Sequence, residues 1–338
     1  MTKPLLATLK GERHERRPIW LMRQAGRYLP EYRALRAEKG GILDLVNDSD
    51  AAAEVTIQPL RRFDFDAAIL FSDILMVPSA MGQNLRFGAG EGPELKPALV
   101  DHALAALEAA PARLEPVYAT VRKVAAQLAP ATTFLGFAGS PWTVATYMVA
   151  GHGSKDQAET RRFAYRDPAA FRAIIEAISD VTVDYLAAQF AAGVDAVQLF
   201  DSWAGSLSPQ QFEDWVIAPN AAIVKRLRAR VPQATIIGFP KGAGAKLVTY
   251  ATQTDVDALG LDETLDPVWA NAALPPEMPV QGNLDPLALV TGGETLDRAV
   301  DRVLAAFPER PHVFNLGHGI LQDTPITHVE ALVARVRR

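Results

Sequence analysis

The stretch TTFLGFAGS, residues 132–140, decides the fold class of this 338-residue chain. Its middle is a continuous hydrophobic run, and it ends in the small residues Gly139 and Ser140. Continuous rather than alternating hydrophobicity is typical of a parallel strand that is covered on both faces. Seven further short apolar runs, each ending in a polar residue, occur at 17–23, 67–73, 194–202, 235–241, 257–263, 278–283 and 312–318.

Helix-like segments separate these runs. Two of them open with a capping residue followed by proline, Asp167-Pro168 and Ser208-Pro209, which is typical of a helix N-terminus. Eight strands that alternate with helices predict a (β/α)8 TIM barrel, and we place no domain boundary within residues 1–338. A doubly wound open sheet is the alternative fold. The predicted helical segments are 48–62, 101–129, 167–192, 208–230, 285–307 and 324–338.

Composition excludes several kinds of function. The chain is 49% hydrophobic and 22% charged, with a formal net charge of −5, and this acidic balance argues against general nucleic-acid binding. No apolar run approaches the ~20 residues of a membrane span, and the first residues lack a signal-peptide pattern. The absence of cysteine excludes disulfides, thiolate nucleophiles and cysteine-ligated metals. We therefore expect a cytoplasmic protein that binds neither nucleic acid nor membrane.

Polar residues end all eight predicted strands. In a barrel of this type the catalytic groups come from the carboxyl ends of the strands, which meet at one face. Eight polar ends on one face are better explained by a functional site than by solvated loops. The residues concerned are Arg23, Asp73, Ser140, Asp201, Ser202, Lys241, Asp262, Glu263, Asn283 and His318.

Arginine is concentrated near the first predicted strand, with seven arginines and no lysine between residues 13 and 36. The planar guanidinium matches a carboxylate or phosphate with two parallel hydrogen bonds. Arg23 and Arg27 flank Gly26 at a strand end, where glycine permits a close backbone approach, so we expect these two to bind an anion. The more N-terminal arginines are expected on the surface: Arg13, Arg16 and Arg17.

Three further side chains are candidates from their positions. Asp73 ends an apolar strand, and the residues after it do not resemble the start of a capped helix. Tyr147 lies in the helix-like run that follows TTFLGFAGS, and His318 lies between two glycines at the end of the last strand. Familiar nucleotide, zinc-protease and serine-hydrolase motifs are absent, since GFPKGAGAK lacks a P-loop ending and RFGAGEGP does not join a strand directly to a helix.

Six segments, in this order, resemble the uroporphyrinogen decarboxylase family: RPIWLMRQAGRYLPEYR, FSDIL, GEGP, GFAGSPWTVATYM, FDSWAG and NLGHGI. The resemblance extends from about Arg17 to about Pro325. It implies a (β/α)8 barrel, a homodimer, and conversion of uroporphyrinogen III to coproporphyrinogen III by decarboxylation of four acetate side chains. It also implies a reaction without a metal or an organic cofactor.

The resemblance further implies a substrate site. Its catalytic residues would be Arg23, Arg27, Asp73, Tyr147 and His318. The two arginines, with Gln24, Ala25 and Gly26 between them, would hold substrate carboxylates, and Asp73 would face the pyrrole NH groups. The remaining pocket residues would be Phe71, Phe137, Phe200 and Ser202, with the three phenylalanines packed on the macrocycle.

The implied chemistry explains why cations are focused in an acidic protein, since the substrate carries eight carboxylates. Loss of CO2 leaves a carbanion, and a protonated pyrrole within the substrate can accept its electrons. Asp73 would stabilise the resulting positive charge. The proton donor stays open between a relayed water and His318, because an arginine with a pKa above ~12 is a poor acid.

Two other functions compete with this one. A corrinoid- or zinc-dependent methyltransferase would share the barrel, but it needs a thiolate-containing metal site and this chain has no cysteine. A tetrapyrrole-binding protein without catalysis would use the same arginines, but it would not need Asp73.

Overall fold

The computed structural model describes residues 3–88 and 92–338. The motif GEGP begins at Gly90, so its first two residues lie outside the described ranges. Within those ranges, seven parallel strands form one sheet: β1 (Ala67–Ile69), β4 (Thr133–Gly139), β5 (Ala196–Asp201), β6 (Thr235–Pro240), β7 (Ala258–Gly260), β8 (Val280–Leu284) and β9 (His312–Leu316). A separate antiparallel hairpin consists of β2 (Asn84–Phe87) and β3 (Pro93–Lys96).

The strands of the main sheet lie side by side in chain order. Each pairs in parallel with the next, from Ala67 opposite Thr133 at one end to Leu284 opposite Leu316 at the other. A doubly wound sheet would instead reverse its strand order at a switch point, so the alternative fold is wrong. Almost every strand residue of this sheet is buried, which confirms the seven strands predicted from continuous apolar runs.

The predicted strand over 17–23 is wrong beyond a single residue. Ile19 forms an isolated parallel bridge with Phe314 of β9, and its carbonyl accepts a hydrogen bond from the Asp66 amide at 2.9 Å. Side chains take the places of the other strand bonds: Asp66 accepts the Ile19 amide at 2.8 Å, and Asn315 accepts the Met22 amide at 3.0 Å. The segment therefore lies between β9 and β1 without continuing as a regular strand.

Helices alternate with the strands. Sixteen α-helices lie in the described ranges: α1 (Pro4–Leu9), α2 (Pro30–Lys39), α3 (Ile42–Asn47), α4 (Ser49–Arg62), α5 (Met76–Ala80), α6 (Glu115–Ala125), α7 (Pro141–Ala150), α8 (Ala158–Arg166), α9 (Pro168–Ala192), α10 (Pro209–Phe212), α11 (Ala218–Arg230), α12 (Lys246–Gln253), α13 (Pro267–Ala273), α14 (Pro286–Thr291), α15 (Gly293–Ala306) and α16 (Ile326–Val336). None of them has the length and hydrophobicity that a bilayer span requires.

The predicted helix starts are confirmed where a side chain caps them. Asp48 accepts the amides of residues 50 and 51 before α4, and Asp167 accepts the amide of Ala170 before α9. Three predicted helices are shorter or divided. The segment 208–230 divides into α10 and α11, with a π-helical turn over 213–217 between them. The segment 285–307 splits into α14 and α15 at Gly292, whose φ of +70° favours glycine. The segment 101–129 becomes short 3₁₀ turns followed by α6.

Candidate active site

The carboxyl ends of the parallel strands form one face of the sheet, here called the carboxyl face. Arg23 follows the Ile19 bridge, Asp73 follows β1, and His318 follows β9 at this face. The charge of Arg23 lowers the pKa of Asp73, of Tyr147 and of His318, although burial is the larger influence on each. The structure therefore brings together four of the five side chains implied as catalytic.

Arg23 has an unusual backbone conformation. Its φ of 61° lies in the left-handed region, which few residues other than glycine adopt. Neighbouring bonds enforce it, since the Met22 carbonyl accepts the Ile320 amide at 2.9 Å and the Leu21 carbonyl accepts the Gln24 amide at 3.0 Å. Such conformations persist only where the surroundings fix them, and they are frequent at binding sites.

Gly319 makes room for the Arg23 side chain. A Cβ atom at position 319 would collide with the Cδ and Cγ atoms of Arg23. Gly319, next to His318, therefore leaves the space that the Arg23 side chain occupies. Gly26 has a similar role closer to the strand, because a Cβ there would lie 2.9 Å from the Arg23 carbonyl oxygen.

Gln24 has its side-chain amide committed to the scaffold. The residue is fully buried, its Oε1 accepts the Leu21 amide at 3.1 Å, and its Nε2 donates to the Ala67 carbonyl of β1 at 3.0 Å. These bonds occupy the side chain that was expected to bind a substrate carboxylate. Gln24 instead ties the Arg23 segment to the first strand of the sheet.

Arg27 lies apart from the other candidates. Both arginines are exposed, and Ala25 and Gly26 are half-buried between them. The charge of Arg27 acts on Tyr32 of α2, whose pKa it lowers against the effect of burial. The charge of Arg23 acts instead on Asp73, Tyr147 and His318, so Arg23 is the arginine that belongs with the other candidates.

Asp73 uses one carboxylate oxygen for the protein and leaves the other open. Oδ1 accepts the Leu75 amide at 2.8 Å, in a turn that leads into α5. As expected, α5 does not begin as a capped helix, since no side chain caps its N-terminus at Leu75. Within the described residues Oδ2 accepts no hydrogen bond, and the side chain is partly exposed. Burial raises the pKa of Asp73, while the Leu75 amide and the nearby Arg23 oppose the rise.

Tyr147 and Ser202 lie beside an indole that sequence reasoning missed. Trp203 Nε1 donates a hydrogen bond to the Tyr147 hydroxyl at 3.3 Å, and burial raises the pKa of that tyrosine. Ser202 is half-buried and directly precedes Trp203. The signal was present, because the motif FDSWAG includes this tryptophan.

The aromatic candidates separate into two groups. Phe137 of β4 and Phe200 of β5 meet edge to face with ring centroids 5.6 Å apart, and Phe200 meets Phe239 of β6 at 5.9 Å. Phe71 instead packs on Tyr32 of α2 at 5.9 Å. The structure thus places two of the three predicted phenylalanines side by side and the third against a helix.

His318 is a neutral base at physiological pH. Burial lowers the pKa of its imidazole to about 4, with smaller effects from the charges of Arg23 and Lys241. Lys241 pairs with Glu263 at 3.2 Å, and the Asp262 carboxylate accepts the Gly242 amide at 2.8 Å. These neighbours therefore add a polar cluster on the β6–β7 side of the carboxyl face.

Cations, one open carboxylate and aromatic rings meet at the carboxyl face of a parallel sheet, so the molecule is an α/β protein suited to an aromatic ligand with several anionic groups. The chain belongs to the uroporphyrinogen decarboxylase family. The family model described as "Uroporphyrinogen decarboxylase (URO-D)" matches residues 1–338.

Relatives of high identity support this membership. The chain is 73% identical over 335 residues to uroporphyrinogen decarboxylase from Sphingopyxis alaskensis, and the match covers 99% of this chain and 98% of that protein. It is 72% identical over 336 residues to the protein of the same name from Rhizorhabdus wittichii, with the same two coverages.

A solved structure supports the fold. A methyltransferase from Methanosarcina mazei superposes with a TM-score of 0.81, covering 98% of this chain and 97% of its own, at 18% identity. At such low identity the likeness shows the fold and not the chemistry.

Proposed function

We propose that this protein is a carboxy-lyase that decarboxylates the acetate side chains of uroporphyrinogen III to methyl groups, giving coproporphyrinogen III in tetrapyrrole biosynthesis. The observation that carries the proposal is the open oxygen of Asp73 beside Arg23 at the carboxyl face. The ring walls of Phe137 and Phe200 complete a surface on which a flat macrocycle can rest.

Each decarboxylation balances without an added electron acceptor. A proton adds to a pyrrole carbon, and the ring then carries a positive charge shared with its nitrogen. The bond from the acetate CH2 to its carboxylate breaks, CO2 leaves, and the electron pair neutralises the ring. A second proton on the exocyclic carbon gives the methyl group and restores the pyrrole as the first proton leaves.

Asp73 stabilises the charged ring in this scheme. Its open oxygen accepts hydrogen bonds from pyrrole NH groups, and its negative charge opposes the positive charge that develops. A cationic ring also favours the ionised form of Asp73, whose pKa burial raises in the free protein. Arg23 and Arg27 hold carboxylates and set the position of the reacting arm.

A relayed water is the better proton donor of the two alternatives. His318 has a pKa of about 4, so near pH 7 almost none of it carries the proton that a general acid must give. A neutral imidazole can still orient a water molecule by hydrogen bonding. This assignment removes His318 from the acid role and keeps it in the site.

The test is anaerobic incubation of the purified protein with uroporphyrinogen III, with the products separated by carboxylate number. The expected products have seven, six, five and finally four carboxylates. A tetrapyrrole carrier would bind the substrate and leave all eight carboxylates in place. Dialysis against a chelator should leave the rate unchanged, and a loss reversed by one divalent ion would contradict a cofactor-free reaction.

The finer architecture is part of the proposal. The bonds of Ile19 to Phe314 and Asp66 support closure of the sheet into a (β/α)8 barrel that forms one domain, which should unfold in a single transition. Exposed apolar residues at the starts of α13 and α14, Val268 and Leu287, support a homodimer. Sedimentation measures the dimer, and cell fractionation tests the expected cytoplasmic location.

A further inference from the structure

A second polar site lies at the opposite end of the sheet. A cavity of about 110 Å³ opens near the amino end of β9, where it is lined by Arg13, His14, Glu15, Arg17, Arg310 and His312 among others. Two of these residues, Arg13 and Arg17, belong to the N-terminal arginine cluster, and the carboxyl face does not use them. Arg17 was expected on the surface, but it is half-buried in this wall.

The cavity wall holds a buried arginine that forms no ion pair, although the charge of Glu277 opposes the effect of burial on its pKa. Arg310 is only 5% exposed and donates to neutral oxygens: the Asn271 side chain and the carbonyls of residues 271, 274, 275 and 278. No carboxylate of the described residues forms an ion pair with it. Buried arginine is rare unless it is paired, and burial lowers the pKa of this guanidinium.

Burial and the charge of Arg13 lower the pKa of Arg17, and the charge of Glu309 opposes them. Its Nη2 donates to the Phe307 carbonyl at 2.7 Å, and no ion pair of Arg17 occurs within the described ranges. Arg13 pairs with Glu309 and is therefore neutralised. Arg17 and Arg310 thus line the cavity as two guanidinium groups that form no ion pair within the described residues, with the carboxylate of Glu15 also in the wall.

His312 adds an unpartnered acceptor to this arginine-lined wall. The residue is 2% exposed, and its Nε2 lies 2.6 Å from the Gly282 carbonyl oxygen, so Nε2 must carry the proton. Nδ1 is then a bare lone pair, and it is buried with no hydrogen-bond partner among the described residues. Burial lowers the pKa of the ring to about 3, which keeps that lone pair free.

We propose that this cavity binds a small oxyanion that still carries a hydroxyl, of the class of hydrogen phosphate or bicarbonate. Its charged oxygens accept from Arg17, and its O–H donates to the bare Nδ1 of His312. The cavity volume of about 110 Å³ is several times the ~30 Å³ that one water occupies, so an oxyanion of five heavy atoms fits in it. Sulfate has the same shape but no hydroxyl near pH 7, and it should bind worse.

The experiment is calorimetric titration of the full-length protein with inorganic phosphate and, at matched ionic strength, with sulfate. Phosphate can also bind the arginines of the carboxyl face, so the titrations use Arg23→Gln as the parent. Adding Arg17→Gln should weaken phosphate binding roughly tenfold or more, because it removes a hydrogen bond from a charged group. Arg17→Lys, which keeps the charge and folds more readily, should give an intermediate affinity.

Two results would overturn the proposal. Equal phosphate affinity with and without Arg17→Gln would leave the cavity as a water site only. Sulfate binding as tight as phosphate binding would remove the need for a hydroxyl donor. Thermal unfolding of each variant without added anion verifies that the substitutions leave the fold intact.

Discussion

Two carboxylates at the carboxyl face show what separates a reactive group from a structural one. Asp73 follows β1 and Asp201 ends β5, and burial raises the pKa of both. Asp201 is fully buried, accepts the Thr143 hydroxyl at 2.5 Å and has a pKa of about 7. Asp73 is partly exposed and has Arg23 beside it. A raised pKa therefore does not identify the site, whereas access and a neighbouring cation do.

Asp201 is linked to the candidate site by a chain of hydrogen bonds. The Thr143 hydroxyl that donates to Asp201 also accepts the Trp203 amide at 3.1 Å. The Trp203 indole in turn donates to Tyr147 at 3.3 Å. A fully buried carboxylate thus positions, through two intermediates, a hydroxyl near Arg23 and Asp73. Substitutions that change the charge, the size or the hydrogen bonds of each aspartate test whether Asp73 is reactive and Asp201 structural.

The largest effect is expected for Asp73→Asn. The amide keeps the size and one acceptor oxygen but removes the charge, so the saturated rate of all four decarboxylations should fall by ~10²–10³, the usual value of one preorganised electrostatic group. Asp73→Glu keeps the charge and should retain more activity. The measurement is single-turnover decarboxylation at saturating substrate, with binding measured separately.

A near-normal saturated rate in the Asn variant, with weaker binding, would make Asp73 a binding residue only. The two aspartates would then differ in exposure but not in chemical role. Asp201→Asn, measured in the same assay, is the matched control for loss of a carboxylate at this face.

The two arginines should differ in a second test. Arg23→Lys replaces the planar guanidinium near Asp73 with an ammonium group, which cannot bind a carboxylate through two parallel hydrogen bonds. We therefore expect kcat/KM to fall roughly tenfold to a hundredfold. Arg27→Lys removes a fork whose charge does not act on Asp73, so the loss should be smaller and mainly in KM. Steady-state kinetics of both variants, with the parent as reference, gives the comparison. Equal losses would show that distance from Asp73 is not what matters.

Much of the sheet was predictable because burial on both faces leaves a local sequence pattern. The strand at 17–23 failed because Asp66 and Asn315 supply bonds that a strand would otherwise make. The hairpin β2–β3 was missed because its short strands are largely exposed and carry no continuous apolar run.

The sequence predicts where the candidate site lies more readily than what each side chain contacts. Arg23 and Asp73 stand at strand ends, which the apolar pattern marks. The bond of the Gln24 side chain to Ala67 joins residues 43 apart, so no local pattern predicts it, and the substrate-binding role of Gln24 stays a prediction. The low pKa of His318 comes mainly from burial, with smaller contributions from the charges of Arg23 and Lys241, and no local motif indicates either cause.

Asp201→Asn should change stability in a direction that depends on pH. The folded pKa of about 7 lies above the unfolded value of 3.8, so between these values the folded state holds the proton more tightly and stability falls as pH rises. The Asn variant has no carboxyl group at this position, so its stability does not fall with pH for this reason. Between pH 5 and pH 8 its free energy of unfolding should therefore rise relative to the parent by roughly 3 kcal/mol, from about two pKa units at ~1.36 kcal/mol each.

The measurement is denaturant unfolding of both proteins at the two pH values, in which the other titrating groups cancel in the difference. Turnover of the variant should fall only a few-fold, because the amide oxygen can still accept from Thr143. If the free energy of unfolding changed equally with pH in both proteins, Asp201 would not titrate in this range. If Asp201→Asn lost as much activity as Asp73→Asn, the two carboxylates would not differ in role.

The smallest effect is expected for Trp203→Phe, which tests the link between Asp201 and the site. Phenylalanine keeps an aromatic ring but cannot donate to the Tyr147 hydroxyl, and a neutral hydrogen bond of 3.3 Å contributes about 0.5–1 kcal/mol. The expected loss is therefore about twofold to fivefold in kcat, with KM almost unchanged because Trp203 holds Tyr147 and not the substrate.

A double-mutant cycle with Tyr147→Phe isolates the bond, since the second substitution removes its acceptor. If the indole acts by positioning that hydroxyl, the double variant should be no slower than Tyr147→Phe alone. Strictly additive losses would show that Trp203 and Tyr147 act independently, and the buried Asp201 would then support the strand end without reaching the reacting groups.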